Sequence, residues 1–213
     1  DTTISASDDI AATAAEDIIG GSYLSEDMGV DLEATGGSVV GANIATPDLG
    51  ADGDATVDVD AGGDINGVNI NAVGDVNLGA DAAIVTDNII GGTVITQGSV
   101  VYSANLDIQG GELNAGGTAT LTAATGSIDA IEATSDGTMA FSAGDSVRNG
   151  SAISETDLVT VEALDGEIDG LNVNAALTAT LTATGTGDGT IDNVAVTAAG
   201  VVTATASDGF SGG

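Results

Sequence analysis

Residues 65–80 read I-N-G-V-N-I-N-A-V-G-D-V-N-L-G-A, and the spacing of their apolar positions decides the fold. Apolar or small residues fall at Ile65, Gly67, Ile70, Ala72, Gly74, Val76, Leu78 and Ala80. This is period two within each half, with one phase slip between Gly67 and Ile70. Alternation of that kind means β-strand, and a slip at a fixed place means a corner.

The same template recurs on both sides of this stretch, in copies starting at 19, 39, 65, 89, 108, 128, 147, 168 and 191. The copy from Ile19 sets Ile19, Gly21, Leu24, Val30, Leu32 and Ala34 inward. The copy from Val147 fits with one residue inserted before Ile153. The copy from Val39 fits with about seven extra residues between Thr46 and Val57, an insertion that holds Pro47, the only proline. Copies are 19 to 21 residues apart where no loop intervenes. Extra residues cluster at 47–53, 81–88 and 184–190, which read as loops on one side of a regular stack.

A helical solenoid is opposed by the Gly content, the Thr and Val enrichment and the period of two. One turn of a parallel β-helix explains all three, with small inward residues suiting a narrow interior and each coil covering the next. The expected fold is all-β: a single-domain parallel β-solenoid over residues 1–213, a right-handed β-helix of about ten coils. At roughly 4.8 Å per coil it makes a rod about 48 Å long.

Composition narrows the function. There are 33 acidic residues and one basic side chain, Arg148, for a net charge of -32, with neither Cys nor His. Such a polyanion has no cations to replace phosphate counterions, so nucleic acid is excluded, as is an anionic membrane surface. Absence of Cys removes disulfides and thiolate metal sites. No apolar run approaches the roughly 18 residues of a membrane span. Few aromatics and high charge point towards disorder, yet 42% of residues are apolar and mean hydropathy is positive, enough to build a core. The start at Asp1, with no signal-like segment, reads as a processed chain or a piece of a longer one.

Extended to its ends, the template sets Ile4 in the place of Ile70 and Phe210 in the place of Ile65. Both ends are then open in mid-coil and complementary in phase, with neither D-T-T-I nor D-G-F-S-G-G resembling a polar cap. Open solenoid ends invite association. The expected polymer interface comprises Asp1, Thr2, Thr3 and Ile4 at one end and Phe210, Ser211, Gly212 and Gly213 at the other.

Outward residues form ladders. Asp31, Glu33, Asp58 and Asp60 fall on two adjacent strands as a square of carboxylates, and like charges opposite one another in a sheet are destabilising. A hard cation such as Ca²⁺ would relieve the square; salt screening and water are the other resolution. Nothing else in the sequence calls for a cofactor. Arg148 falls in one column with Gln109, Asp129, Asp169 and Asp192, giving an expected sandwich between Asp129 and Asp169. Thr118, Thr120 and Thr122 beside Thr178, Thr180 and Thr182 form a Thr array broken at Ala140, which suits exposed strands and gives little ground for ice binding. G-T-G-D-G-T at 185–190 lacks the Lys of a phosphate loop and reads as a flexible loop.

The strings G-G-D-I-N-G-V-N-I-N-A-V-G-D-V-N-L-G-A (62–80) and G-G-E-L-N-A-G-G-T-A-T-L-T-A (110–123) resemble the 19-residue repeats of filamentous-haemagglutinin-type exoproteins of two-partner secretion. The resemblance implies a right-handed β-helix, export, and adhesive or filament-forming roles. No segment of residues 1–213 resembles the secretion-signal domain of that family.

The chain is therefore expected to be a non-enzymatic structural subunit of an extracellular or cell-surface filament, polymerising with itself head to tail through a composite coil. The alternative is a β-helix segment of a large secreted adhesin, binding other surface components or glycans through its loops. With no Lys or His and a field repelling polyanions, only a carboxylate pair is left for hydrolysis, and the carboxylates lie on outward faces.

Overall fold

The computed structural model describes residues 2–26, 28–47, 55–81, 83–186 and 188–212. These residues form β-strands and turns, and every strand pairs in parallel with its counterpart one coil away. The chain is a β-solenoid of about ten turns in one domain. Each turn has three faces. In the coil used above these are Ile65–Asn66 (first face), Asn69–Ala72 (second) and Val76–Leu78 (third). The third faces stack into a sheet of ten strands, and the first and second faces share a larger one.

Ile89 is opposite both Ile65 and Ile108, and all three are buried in one column. On the third face, Leu32, Val59, Leu78, Tyr102, Leu121, Phe141, Val161 and Leu181 follow one another in register through the centre of the rod. Two residues further on, the corner is so tight that alanine fills it in coil after coil, including Ala34, Ala61, Ala104, Ala123, Ala143, Ala163 and Ala183.

The corner after the first face is a left-handed residue in every coil. Gly67 (φ 62°), Gly91 (φ 63°), Gly110 (φ 64°), Ala130 (φ 57°), Asn149 (φ 49°) and Gly170 (φ 62°) are successive examples. A Cβ at Gly67 would meet nothing within 4 Å, so the demand for Gly or Asn is conformational and not steric. Left-handed backbone costs an L-residue roughly 1–2 kcal/mol, most of all a β-branched one. Gly67→Val is therefore expected to lower stability by about 1–2 kcal/mol while Gly67→Asn changes it far less, as read by urea unfolding.

The residue after this corner turns inward, which simple alternation does not anticipate. Ala42, Val68, Ile131 and Leu171 are buried there and belong to the core alongside the template positions.

Four expectations need correction. In the second coil Ile18, not Ile19, is opposite Val39 in the buried column, and Ile19 is 75% exposed. Tyr23, not Leu24, faces inward opposite Ile44. In the copy from Val147, Ala152 holds the inward place opposite Ala133 and Val173, Ile153 faces outward, and no residue is inserted before it. Both copies instead lengthen the following turn by one residue. A buried serine holds each longer turn by the same bond: Ser25 Oγ accepts from Met28 N–H (3.3 Å), and Ser154 Oγ from Asp157 N–H (3.1 Å).

The third correction concerns the second insertion. The strand stops at Leu78 because Gly79 takes φ 67°, and the excursion covers 79–85. Thr86, 1% exposed, then fills the alanine corner in place of Ala80. Its hydroxyl donates to the Ala61 carbonyl (2.9 Å) and its carbonyl accepts from Asn105 N–H (2.8 Å), repairing the ladder that the excursion breaks. The fourth concerns where the loops leave. The first insertion departs between second and third faces, after Asn43–Thr46 and before Val57–Ala61. The other two depart after the third face, so the insertions do not share one side. Residues 48–53 of the first lie outside the described residues.

Candidate functional site

Most carboxylates sit at corners, and there they have a structural use. Between the third and first faces, one residue per coil leaves its backbone N–H out of the strand ladder. A side-chain oxygen from the previous coil accepts it. Asp17 Oδ1 accepts from Ser38 (2.8 Å), Ser38 Oγ from Asp64 (3.0 Å), Asn88 Oδ1 from Asp107 (3.1 Å), Asp107 Oδ1 from Ser127 (2.7 Å), Ser127 Oγ from Ser146 (3.4 Å) and Ser146 Oγ from Glu167 (3.2 Å). The missing step is bridged by Asn88 Nδ2 donating to Asp64 Oδ1 (2.8 Å). A carboxylate, hydroxyl or amide oxygen is required at each rung because an orphaned N–H is costly. Sequence reading by apolar period passes over this ladder, although D, S or N one residue before the first-face strand, from Asp17 to Ser146, is its signal.

The ladder also corrects the arginine sandwich. Arg148 is opposite Asp129 and Asp169 in backbone register, but its Nε donates to Glu167 Oε1 at 2.8 Å and its Nη2 to Ser146 Oγ at 2.9 Å. Glu167 has the longer reach, and the two aspartates are already engaged: Asn149 Nδ2 donates to Asp129 Oδ1 (2.9 Å) and Asn193 Nδ2 to Asp169 Oδ1 (3.0 Å). Both asparagines are the left-handed corner residues of their coils. The segment at 185–190, expected to be loose, is tied at both flanks, with Ser207 Oγ donating to the Gly185 carbonyl and Asp208 Oδ2 accepting from Gly189 N–H.

The carboxylate square forms as expected in register: Asp31 is opposite Asp58, and Glu33 opposite Asp60. The four line a cleft of about 470 Å³ that also includes Asp81, which the sequence reading missed because it lies in the excursion that begins at Gly79. Asn77 Nδ2 donates to Asp58 Oδ1 (2.7 Å), and Asp81 N–H donates to Asp60 Oδ1 (3.0 Å). Burial, then the Asp58 and Asp81 charges, push the Asp31 carboxyl above its ordinary range. Burial also raises Asp60, reinforced by Asp81, Asp58 and Asp31 and partly offset by the Asp81 N–H bond. Among the described residues no group of three or more carboxylates is arranged to hold a metal ion. Register gathers the square without closing it around a cation.

Raised native values mean that the folded chain binds these protons more tightly than the unfolded chain. The destabilisation is full at neutral pH, shrinks as pH falls through the raised values, and is gone near the ordinary 3.8. Asp60→Asn keeps an acceptor for Asp81 N–H and removes a charge. It is expected to raise stability at pH 7 by about 1 kcal/mol and to flatten the gain on acidification. Melting curves at pH 7 and pH 4 read this, and an unchanged difference between the two pH values would contradict it.

At the two ends of the described residues Ile4 is 37% exposed, Val202 47% and Phe210 60%, where their column partners Tyr23, Ala179 and Ile191 are buried. Of the expected interface, Thr2, Thr3, Ile4, Phe210, Ser211 and Gly212 are at these ends; Asp1 and Gly213 lie outside the described residues. The first strand, Thr3–Ala6, belongs to the second face, and the last, Gly209–Ser211, to the first face.

Comparison of the chain with protein-family models, curated proteins and solved structures finds no match. The reading of function therefore rests on the geometry above.

Proposed function

We propose that this chain is a non-enzymatic structural subunit of an extracellular filament, growing head to tail by completing one coil between successive copies. The observation that carries the proposal is one of phase: Thr3–Ala6 is a second-face strand and Gly209–Ser211 a first-face strand, so the turn of one copy can continue into the next in register. A second copy would set its Thr3–Ala6 over Ala195–Ala198, its Ile10–Ala14 over Val202–Ala206 and its Ile18–Ile19 over Gly209–Ser211. Ile4 would then cover Val196, Ile10 would cover Val202, and Phe210 would lie under Ile18. The resemblance to filamentous-haemagglutinin-type repeats supports the same reading, as does the corner ladder, in which Asp17 and Asp107 join serines and an asparagine in coil-to-coil bonding.

Among the described residues, the acidic cleft brings Asp31, Glu33, Asp58, Asp60 and Asp81 together. It is lined by carboxylates, Asn77, Ala80 and Val101, with no aromatic platform for a sugar ring. This favours a solvated structural face over a glycosidase.

Negative-stain microscopy with light scattering across a concentration series tests the proposal. Fibres many times longer than one rod, about 48 Å, are expected. Rods that stay single at every concentration would overturn it and favour a tethered adhesin segment binding through the insertions.

A further inference from the structure

The first and last coils have turns of equal length. Three residues separate Ala6 from Ile10, and three separate Ala198 from Val202. Three also separate Ala14 from Ile18 and Ala206 from Phe210, where the coil between Ala34 and Val39 uses four. A copy seated on the last coil therefore superposes its turns as well as its strands. Its strands meet no charge. Inside the rod the third face sets Asp31 opposite Asp58 and Glu33 opposite Asp60, but the junction sets Ala11 and Thr13 over Thr203 and Thr205.

The turn from third face to first is different. Its middle residue donates its N–H to the carbonyl of the same position one coil earlier: Leu106 to Asp87 (2.8 Å), Asp145 to Gly126 (2.9 Å) and Asp208 to Gly189 (3.0 Å). Four carboxylates lie in this column, Glu16, Asp87, Asp145 and Asp208, and every neighbour they have within it is Gly or Leu. A seated copy continues the ladder by donating its Glu16 N–H to the Asp208 carbonyl. That contact makes the first acidic pair in the column.

Asp208 is held in place there, its Oδ2 accepting from Gly189 N–H (3.1 Å) and Ser207 Oγ (3.0 Å). Asp17 beside Glu16 and Asp188 in the coil before Asp208 add charge of the same sign, while Gly37, Ser38 and Gly209 around them add none. The one basic side chain, Arg148, is three coils from Asp208.

We propose that the Glu16–Asp208 pair gates head-to-tail growth, an inference that rests on the filament reading and names what regulates its junction. Like charges on adjacent rungs weaken each junction by about twofold to fivefold. Salt that screens the pair, or acid that neutralises either carboxylate, releases the gate and lets fibres form at lower concentration.

Sedimentation across a concentration series at low salt tests this. Glu16→Lys replaces repulsion by attraction and is expected to lower the concentration for half-assembly at least fivefold. Added to Asp208→Asn, which keeps an acceptor for Gly189 N–H, the same substitution is expected to gain less than twofold. Glu155→Lys changes the net charge equally in mid-rod and is expected to gain less than twofold. Fibres whose threshold Glu16→Lys leaves unmoved, a gain that survives Asp208→Asn, or one matched by Glu155→Lys would overturn the gate and leave the filament reading standing. Rods that stay single in every variant and at every concentration would overturn the filament reading, and the gate with it.

Discussion

Phe141→Ala is expected to lower stability by about 3–5 kcal/mol, the range for emptying an aromatic side chain from a packed core. Phe141 is 1% exposed and stacked in register between Leu121 and Val161, with Met139 and Ala143 fixing it along its own strand. Leu121 and Val161 are held by their own strand ladders, so neither can collapse into the space. A solenoid is stabilised by nearest-neighbour terms, which localises the damage. The coils before Ala119–Ala123 and after Val159–Ala163 keep all their contacts. Hydrogen exchange should therefore accelerate most at Met139–Ala143 and its two neighbours, and urea unfolding should broaden or split. A loss below 1 kcal/mol, or protection lost evenly along the rod, would contradict the stacked core.

The second large effect is on assembly. Val202→Asp with Phe210→Asp is expected to abolish fibres while leaving the single rod folded. Both side chains are about half exposed in the rod, so charges there meet water. Under the next copy both would be buried without a cation to pair with, and an uncompensated buried charge costs at least about 3 kcal/mol, more than a hundredfold in association constant. Sedimentation should show monomeric rods at concentrations where the unmodified chain elongates. Elongation at unchanged concentration would place the growth contact elsewhere.

How legible the fold was in the sequence depended on the face. The third face alternates inward and outward and ends on alanine in most turns, and its register matches the template from Val30, Leu32 and Ala34 onward outside the excursion that begins at Gly79. The first and second faces were harder because each is short and the corner between them breaks the alternation. Ile18 and Ile19 are adjacent equals by hydropathy, and Ala152 is passed over for its more apolar neighbour Ile153 although Ala is also allowed inside. Only the length of the next turn separates the two registers, and that is set by Ser25 and Ser154, whose hydroxyls carry no apolar signal. Val68, Ile131 and Leu171 were hidden for the same reason, lying at the phase slip itself. The carboxylate square followed from register alone. Asp81 did not, because the left-handed turn at Gly79 brings it in, and the partner of Arg148 did not, because it is chosen by side-chain reach and by asparagines that had already taken Asp129 and Asp169.

The composite coil can be trapped directly. Stacked copies would bring Ser5 of one beside Thr197 of the next, as Asn174 is beside Thr197 within the chain. Adjacent strands stand about 4.8 Å apart, within the Cα separation a disulfide spans. A chain carrying Ser5→Cys and Thr197→Cys should oxidise to a ladder of covalent multimers, whereas Ser5→Cys with Ala195→Cys, two residues out of register, should give few. Failure of the in-register pair to form multimers, or equal yields from both pairs, would contradict head-to-tail completion of the coil.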